Sequence, residues 1–118
     1  MEYFKVTRVF ADEQGESHFE DHQYQLPENG PLGYLSEKVP VKELTFRKVM
    51  ATYDDLHTAP ARQFVVLLDG AVEIQTSDGE TRTFEAGEIL LMEDITGKGH
   101  RSRNVKQAVR NSLFITLA

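Results

Sequence analysis

The sequence predicts an all-β fold, and three observations carry that prediction. Short runs rich in β-branched and aromatic residues recur at close intervals along the chain. The pairs Asp69-Gly70 and Asp78-Gly79 sit between such runs, where Asp-Gly favours tight hairpins with both central residues at positive φ. No stretch shows a convincing helical period of apolar residues. A barrel or sandwich of short strands satisfies all three.

Tyr3 to Phe10 and His18 to Leu26 read as two strands of an N-terminal hairpin, about residues 1–26, joined by the polar turn Asp12-Glu13-Gln14-Gly15. Residues 27–40 then carry Pro27, Gly30, Pro31, Gly33 and Pro40, too broken for a central strand and too rich in proline for a helix. This segment is expected to be a long loop near the mouth of the barrel, a lid in which Tyr34 and Leu35 close over a hydrophobic ligand. Further strands are expected at Glu43 to Thr52, Arg62 to Leu68, Ala71 to Thr76, Thr81 to Phe84, Glu88 to Glu93 and Arg110 to Leu117. Phe64-Val65-Val66-Leu67-Leu68 is apolar on both alternating faces, so it should be covered on both, by the barrel interior and by a second sheet or subunit. Asp54-Asp55 reads as a loop or turn, since adjacent carboxylates on an extended chain point apart.

Bulk properties narrow the function. At 118 residues the chain suits one domain, 1–118. A formal charge of -6 offers nothing to a phosphate backbone or an anionic membrane, so neither nucleic acid nor membrane is an expected partner. The absence of cysteine excludes disulfides, thiolate nucleophiles, Cys-type zinc sites and iron-sulfur clusters. Met1 to Phe10 has no signal-peptide core and no later apolar run reaches membrane-span length, so a cytoplasmic address is expected.

Two half-motifs carry the chemistry. In the first, His57-Thr58-Ala59 is followed by Gln63 and Gly70; in the second, Gly87 is followed by His100 and Asn104. Their spacing resembles the paired signature of the cupin superfamily, whose fold is a jelly-roll β-barrel that often holds a metal. Relative to that signature, Ala51 replaces the opening Gly, Ala59 the second His and Gln63 the Glu. Glu93 and Ile95 stand where Pro and Gly are expected, and the gap from Gly87 to His100 is two residues longer. Gly15-Glu16-Ser17-His18-Phe19, the stretch from His57 through Ala59-Pro60 to Arg62-Gln63, and Glu93 to His100 are also similar to segments of small, mostly uncharacterised cupins. The resemblance implies an all-β cupin-type jelly roll that commonly dimerises, so a homodimer acting on a small organic molecule is expected.

Strand parity puts Gln63 on the face shared by Val65 and Leu67 and, on the cupin pattern, inside the barrel with His57, Ala59 and His100. Two chemistries compete for these residues. A His57/His100 pair with lowered pKa values, with Gln63 orienting a carbonyl, suits metal-free proton transfer of the isomerase, dehydratase, cyclase or lyase kind. Alternatively, His57, Gln63 and His100 ligate Fe, Mn, Ni or Zn in a metal-dependent lyase or dioxygenase, with His18 or His22 completing the set. A non-catalytic ligand-binding module is the third reading. Substrate contacts are expected from Tyr34 in the loop, from His18, and from Arg101 and Arg103, which flank His100 and could attract an anion at the rim. Thr96-Gly97-Lys98-Gly99 lacks the Walker spacing and is not a nucleotide loop; its glycines are expected to turn the chain sharply and bring His100 inward. No Gly-x-Ser-x-Gly elbow is present.

Overall fold

The computed structural model describes residues 2–118 and is built from ten strands. They are β1 (Glu2–Ala11), β2 (Ser17–Leu26), β3 (Val41–Val49), β4 (Asp54–His57), β5 (Gln63–Leu67), β6 (Ala71–Thr76), β7 (Thr81–Glu85), β8 (Ile89–Met92), β9 (His100–Asn104) and β10 (Arg110–Leu117). One sheet has the order β2-β1-β8-β5-β10-β3 and the other β4-β9-β6-β7. From β3 onward, apart from the β6–β7 hairpin, the chain alternates between sheets so that non-consecutive strands pair, the interleaving of a jelly roll. The fold is thus the all-β, cupin-type jelly roll expected from the sequence. Its two sheets face each other without joining into a closed ring of hydrogen bonds.

The hairpin β1–β2 extends the larger sheet, with β1 lying parallel to β8. Val9, Val65, Leu67, Leu90 and Met92 of that sheet meet Val72, Ile74 and Phe84 of the smaller one in a common core, joined by Ala59. Alternation in β5 is as expected, with Gln63, Val65 and Leu67 buried and Phe64 and Val66 turned to the outer face. In β8, Leu90 and Met92 turn inward while Ile89 lines a groove on the outer face. Four consecutive apolar residues leave no alternation from which to choose that parity.

Several local expectations need correction. Asp54 and Asp55 belong to β4, paired with Arg103 and Ser102 of β9, and that alternation still points them apart. Neither Asp-Gly pair has two residues at positive φ. Only Gly70 (φ 67) and Gly79 (φ 96) adopt it, and no non-glycine residue does so among the described residues. At Asp78-Gly79 the side chain explains the difference: Asp78 accepts hydrogen bonds from Thr76 Oγ1 and the Glu80 amide, tying down a longer turn closed by Thr76 N–H to Glu80 O. The loop over residues 27–40, with a short 3-10 turn at Gly30–Leu32, lies against the outer face of the larger sheet instead of the mouth. Tyr34, Leu35 and Val39 there border an apolar groove of about 370 Å³ with Phe4, Phe64 and Ile115. Among the described residues no helix is long and apolar enough to cross a membrane.

Candidate functional site

The interior between the sheets holds a narrow cavity of about 40 Å³. His57, Ala59, Gln63 and His100 all line it, as do Tyr53, Ser102, Arg47 and Arg110. Apolar walls come from Val65, Val72, Ile74, Leu90, Met92 and Phe114.

His57 and His100 are register partners across β4 and β9, so a single rung of the sheet brings their rings to 4.7 Å between centroids at an interplanar angle of 67°. Two glycines make this possible. Gly97 and Gly99 take φ of 84° and 76°, and Gly99 lies so close to the His57 carbonyl that a Cβ there would fall 2.4 Å from its oxygen. The turn beneath is held by Ser17 Oγ donating to Gly99 O at 2.7 Å and by Lys98 N–H donating to Gly15 O at 2.8 Å. The sharp turn anticipated from Gly97 and Gly99 is present, and the N-terminal hairpin braces it.

Behind His100 stands Asp94, fully buried, its Oδ2 2.5 Å from Nδ1 of His100. This contact holds the His100 ring in one orientation, with Nδ1 turned to the carboxyl group and Nε2 left for the cavity side. The segment after β8 is pinned in turn by Ala59 N–H donating to Asp94 O at 3.0 Å. Oδ1 of Asp94 has no protein partner. Asp94 is the main residue of the candidate site that the sequence reading did not single out; its place six residues before His100, in a glycine-rich turn, was the available signal.

His57 is half-buried, and burial pushes its pKa below the usual histidine value; the neighbouring His100 lowers it further, against a smaller opposing effect of Asp55. Asp55 Oδ2 lies 3.2 Å from Nδ1 of His57 but not in hydrogen-bond alignment, leaving Nδ1 buried without a partner. The result is an imidazole whose charged form is disfavoured beside a second imidazole whose orientation is fixed by Asp94. Gln63, 8% exposed, supplies an amide to the same space.

Arg47 and Arg110 were also missed. Arg110 is 4% exposed, and its pKa is lowered by burial and by Arg47. It donates from Nε to Asn104 Oδ1 at 2.8 Å and from Nη1 to Ser112 Oγ at 2.9 Å, both neutral acceptors. The guanidinium of Arg47 lies over the rings of Tyr53 and Phe114, 5.2 and 4.9 Å from their centroids. Arg110 shares strand parity with Ser112 and Phe114, a signal present in the sequence.

Other expected site residues lie elsewhere. Arg101 and Arg103 project from the opposite face of β9 and form bidentate pairs with Asp54 and Glu73, so their forks are already filled. His18 is clamped between Asp12 at 2.7 Å and Asp78 at 3.1 Å near the hairpin turns, outside the cavity lining. The hydrogen bond that its ring donates to the Asp12 carboxylate holds its pKa above the usual value. Tyr34 borders the outer groove.

The donor set does not fit a divalent metal. His57, His100 and Gln63 provide two imidazoles and a neutral amide, and no group of three or more His, Asp or Glu placed to hold a metal occurs among the described residues. Two guanidiniums line the same space and repel a cation.

No family model matches the chain, and no curated protein matches it. Solved structures do. Protein NMB1881 from Neisseria meningitidis aligns at a TM-score of 0.50 and 17% identity, over 69% of this chain and 83% of that one. A putative ethanolamine utilization protein Q from Salmonella typhimurium LT2 aligns at 0.51 and 11%, over 99% and 98%. The Cnp3 cupin domain of Schizosaccharomyces pombe aligns at 0.44 and 12%, over 100% and 86%. The first two likenesses are of fold. They agree with the jelly roll traced above, a scaffold that hosts small-ligand and enzymatic modules alike.

Proposed function

We propose that the protein is a small-molecule enzyme that moves a proton within its substrate, of the isomerase, dehydratase, cyclase or lyase type, without a metal. The opposition of His57 and His100, with Asp94 behind one of them, is the observation that carries this reading. His57, neutral because its charged form is disfavoured, takes a proton from the carbon beside a substrate carbonyl. Gln63 donates to the carbonyl oxygen as negative charge develops there. In an isomerisation the proton returns to a neighbouring atom, from His57 or by way of Nε2 of His100; in a dehydration it goes to the departing hydroxyl group, which leaves as water while the C=C bond forms, so neither reaction needs an oxidant or reductant. The dry walls strengthen each of these polar contacts.

Proton exchange tests this directly. In D2O, the C–H groups beside the carbonyl in small keto and hydroxy-keto compounds should exchange in the presence of the protein, as followed by NMR. His57→Ala and His100→Ala should each slow exchange by about 100-fold or more, and a chelator should leave it unchanged. Exchange that survives both substitutions, or that a chelator abolishes, contradicts the reading.

We further read the protein as a cytoplasmic homodimer. Leu44, Phe46 and Leu68 are exposed on the outer face of the larger sheet, and Phe46 is 78% exposed at its edge. An apolar edge of this kind is ordinarily covered by a partner.

A further inference from the structure

The arginines of this chain divide sharply. Arg8, Arg62, Arg82, Arg101 and Arg103 all pair with carboxylates. Arg47 and Arg110 do not, among the described residues, and these two line the cavity. Acidic side chains outnumber Lys and Arg by 19 to 13, so the lack of a partner at these two is not a shortage of carboxylates. No Asp or Glu lines the cavity. A guanidinium as buried as Arg110 is ordinarily held by an ion pair, because neutral acceptors compensate desolvation only in part. The space that it faces is therefore electropositive, inside a molecule of net negative charge.

We infer that the ligand of this cavity is a small organic carboxylate, its carboxyl group received by Arg110 and Arg47. The inference rests on the acid/base reading above for what happens at the other end of the ligand. The register supports a head and a tail. His100, Ser102 and Asn104 face inward in succession along β9, with His57 opposite His100 and Arg110 bonded to Asn104. The two histidines thus stand at one end and the guanidiniums at the other, with Ser102 between. Two residues of β9 span about 7 Å, so four separate the ends by about twice that at the backbone, and the long arginine side chains shorten the gap. Tyr53 and Phe114 hold the plane of Arg47, which limits the ordering needed when a carboxylate binds. The cavity admits only a short chain: at about 40 Å³ it exceeds the room one water needs by a factor of about three.

Binding can be tested apart from turnover. Acetate and pyruvate, with acetamide and pyruvamide as neutral isosteres, should be titrated into the full chain while amide and arginine Nε–H NMR signals are followed. The carboxylates are expected to shift the Ser102 amide and the Arg110 Nε–H and to bind at least tenfold tighter than the amides. Arg47→Gln and Arg110→Gln should each weaken carboxylate binding at least tenfold, and Arg110→Lys should retain part of it. Arg101→Gln, on the outer face, should change nothing. Arg47→Gln keeps the test decisive if Arg110→Gln fails to fold. Amides binding as tightly as carboxylates, binding insensitive to Arg47→Gln, or equal response to chloride would overturn the inference. Carboxylate binding without any C–H exchange would leave it standing and sink the acid/base reading, whereas exchange confined to uncharged compounds would do the reverse.

Discussion

Replacing Gly99 with alanine separates two effects that usually arrive together. An L-residue at φ +76° sits in the left-handed region, which disfavours it by about 1–2 kcal/mol. The new Cβ would also meet the His57 carbonyl, 2.4 Å from the oxygen and 2.7 Å from the carbon, with Thr58 N at 3.1 Å. Backbone is not the end of a flexible side chain, so β4 must move, and overpacking of this sort adds about 1–3 kcal/mol. Gly79 provides the control. It has φ +96°, and a Cβ there would meet nothing within 4 Å. Gly79→Ala should therefore lose about 1–2 kcal/mol and Gly99→Ala about 2–5 kcal/mol. Urea unfolding with linear extrapolation reads both values. NOEs between the His57 and His100 rings should weaken only in Gly99→Ala. If the two variants agree within about 0.5 kcal/mol and the NOEs are unchanged, the close approach of Gly99 to His57 is not what fixes the site.

Further expectations concern charge and assembly. Because the pKa of His57 is lowered on folding, the unfolded chain binds a proton that the folded chain refuses between the folded value and about 6.5. Stability should rise with pH across that window and fall as pH drops below about 6.5, and His57→Gln should flatten this part of a urea-midpoint profile. Asp94→Asn should lose about 1–3 kcal/mol of stability by disturbing its buried hydrogen bond to His100, and 15N spectra should show the His100 ring nitrogens shifted; unchanged ring signals would refute the role given to Asp94. Phe46→Glu should convert a dimer to a monomer in light scattering without loss of fold, and a wild-type monomer would dispose of the dimer proposal.

How much of this could be read in advance depends on how regular each segment is. Gln63, Val65 and Leu67 were assigned to the interior correctly because β5 starts with a polar residue whose parity the half-motif fixes. Ile89 to Met92 offers only apolar residues, so either parity was consistent. In β3 the usual preference runs backwards. Arg47 faces the cavity and Phe46 faces out, because apolar residues need not all be inside and edge faces invite partners. The nearness of His57 and His100 followed from spacing. Asp94 did not, because it lies between strands, where neither periodicity nor pairing tells which way a side chain points. Arg101 and Arg103 were expected to attract an anion at the rim; the carboxylates that occupy them come from β4 and β6, far away in sequence.

The strand β4 has only four residues and stands at the free edge of the smaller sheet, with Asp54, Asp55 and Leu56 exposed. It carries one member of the histidine pair. Short edge strands open at far lower free energy than central ones. The wall of the cavity that bears His57 thus hangs on a single neighbouring strand, whereas His100 lies on a strand paired on both sides. If β4 lifts from β9, a ligand larger than the resting space would enter at the rate of that opening. Faster hydrogen exchange in the backbone of β4 than in β9 would be its signature.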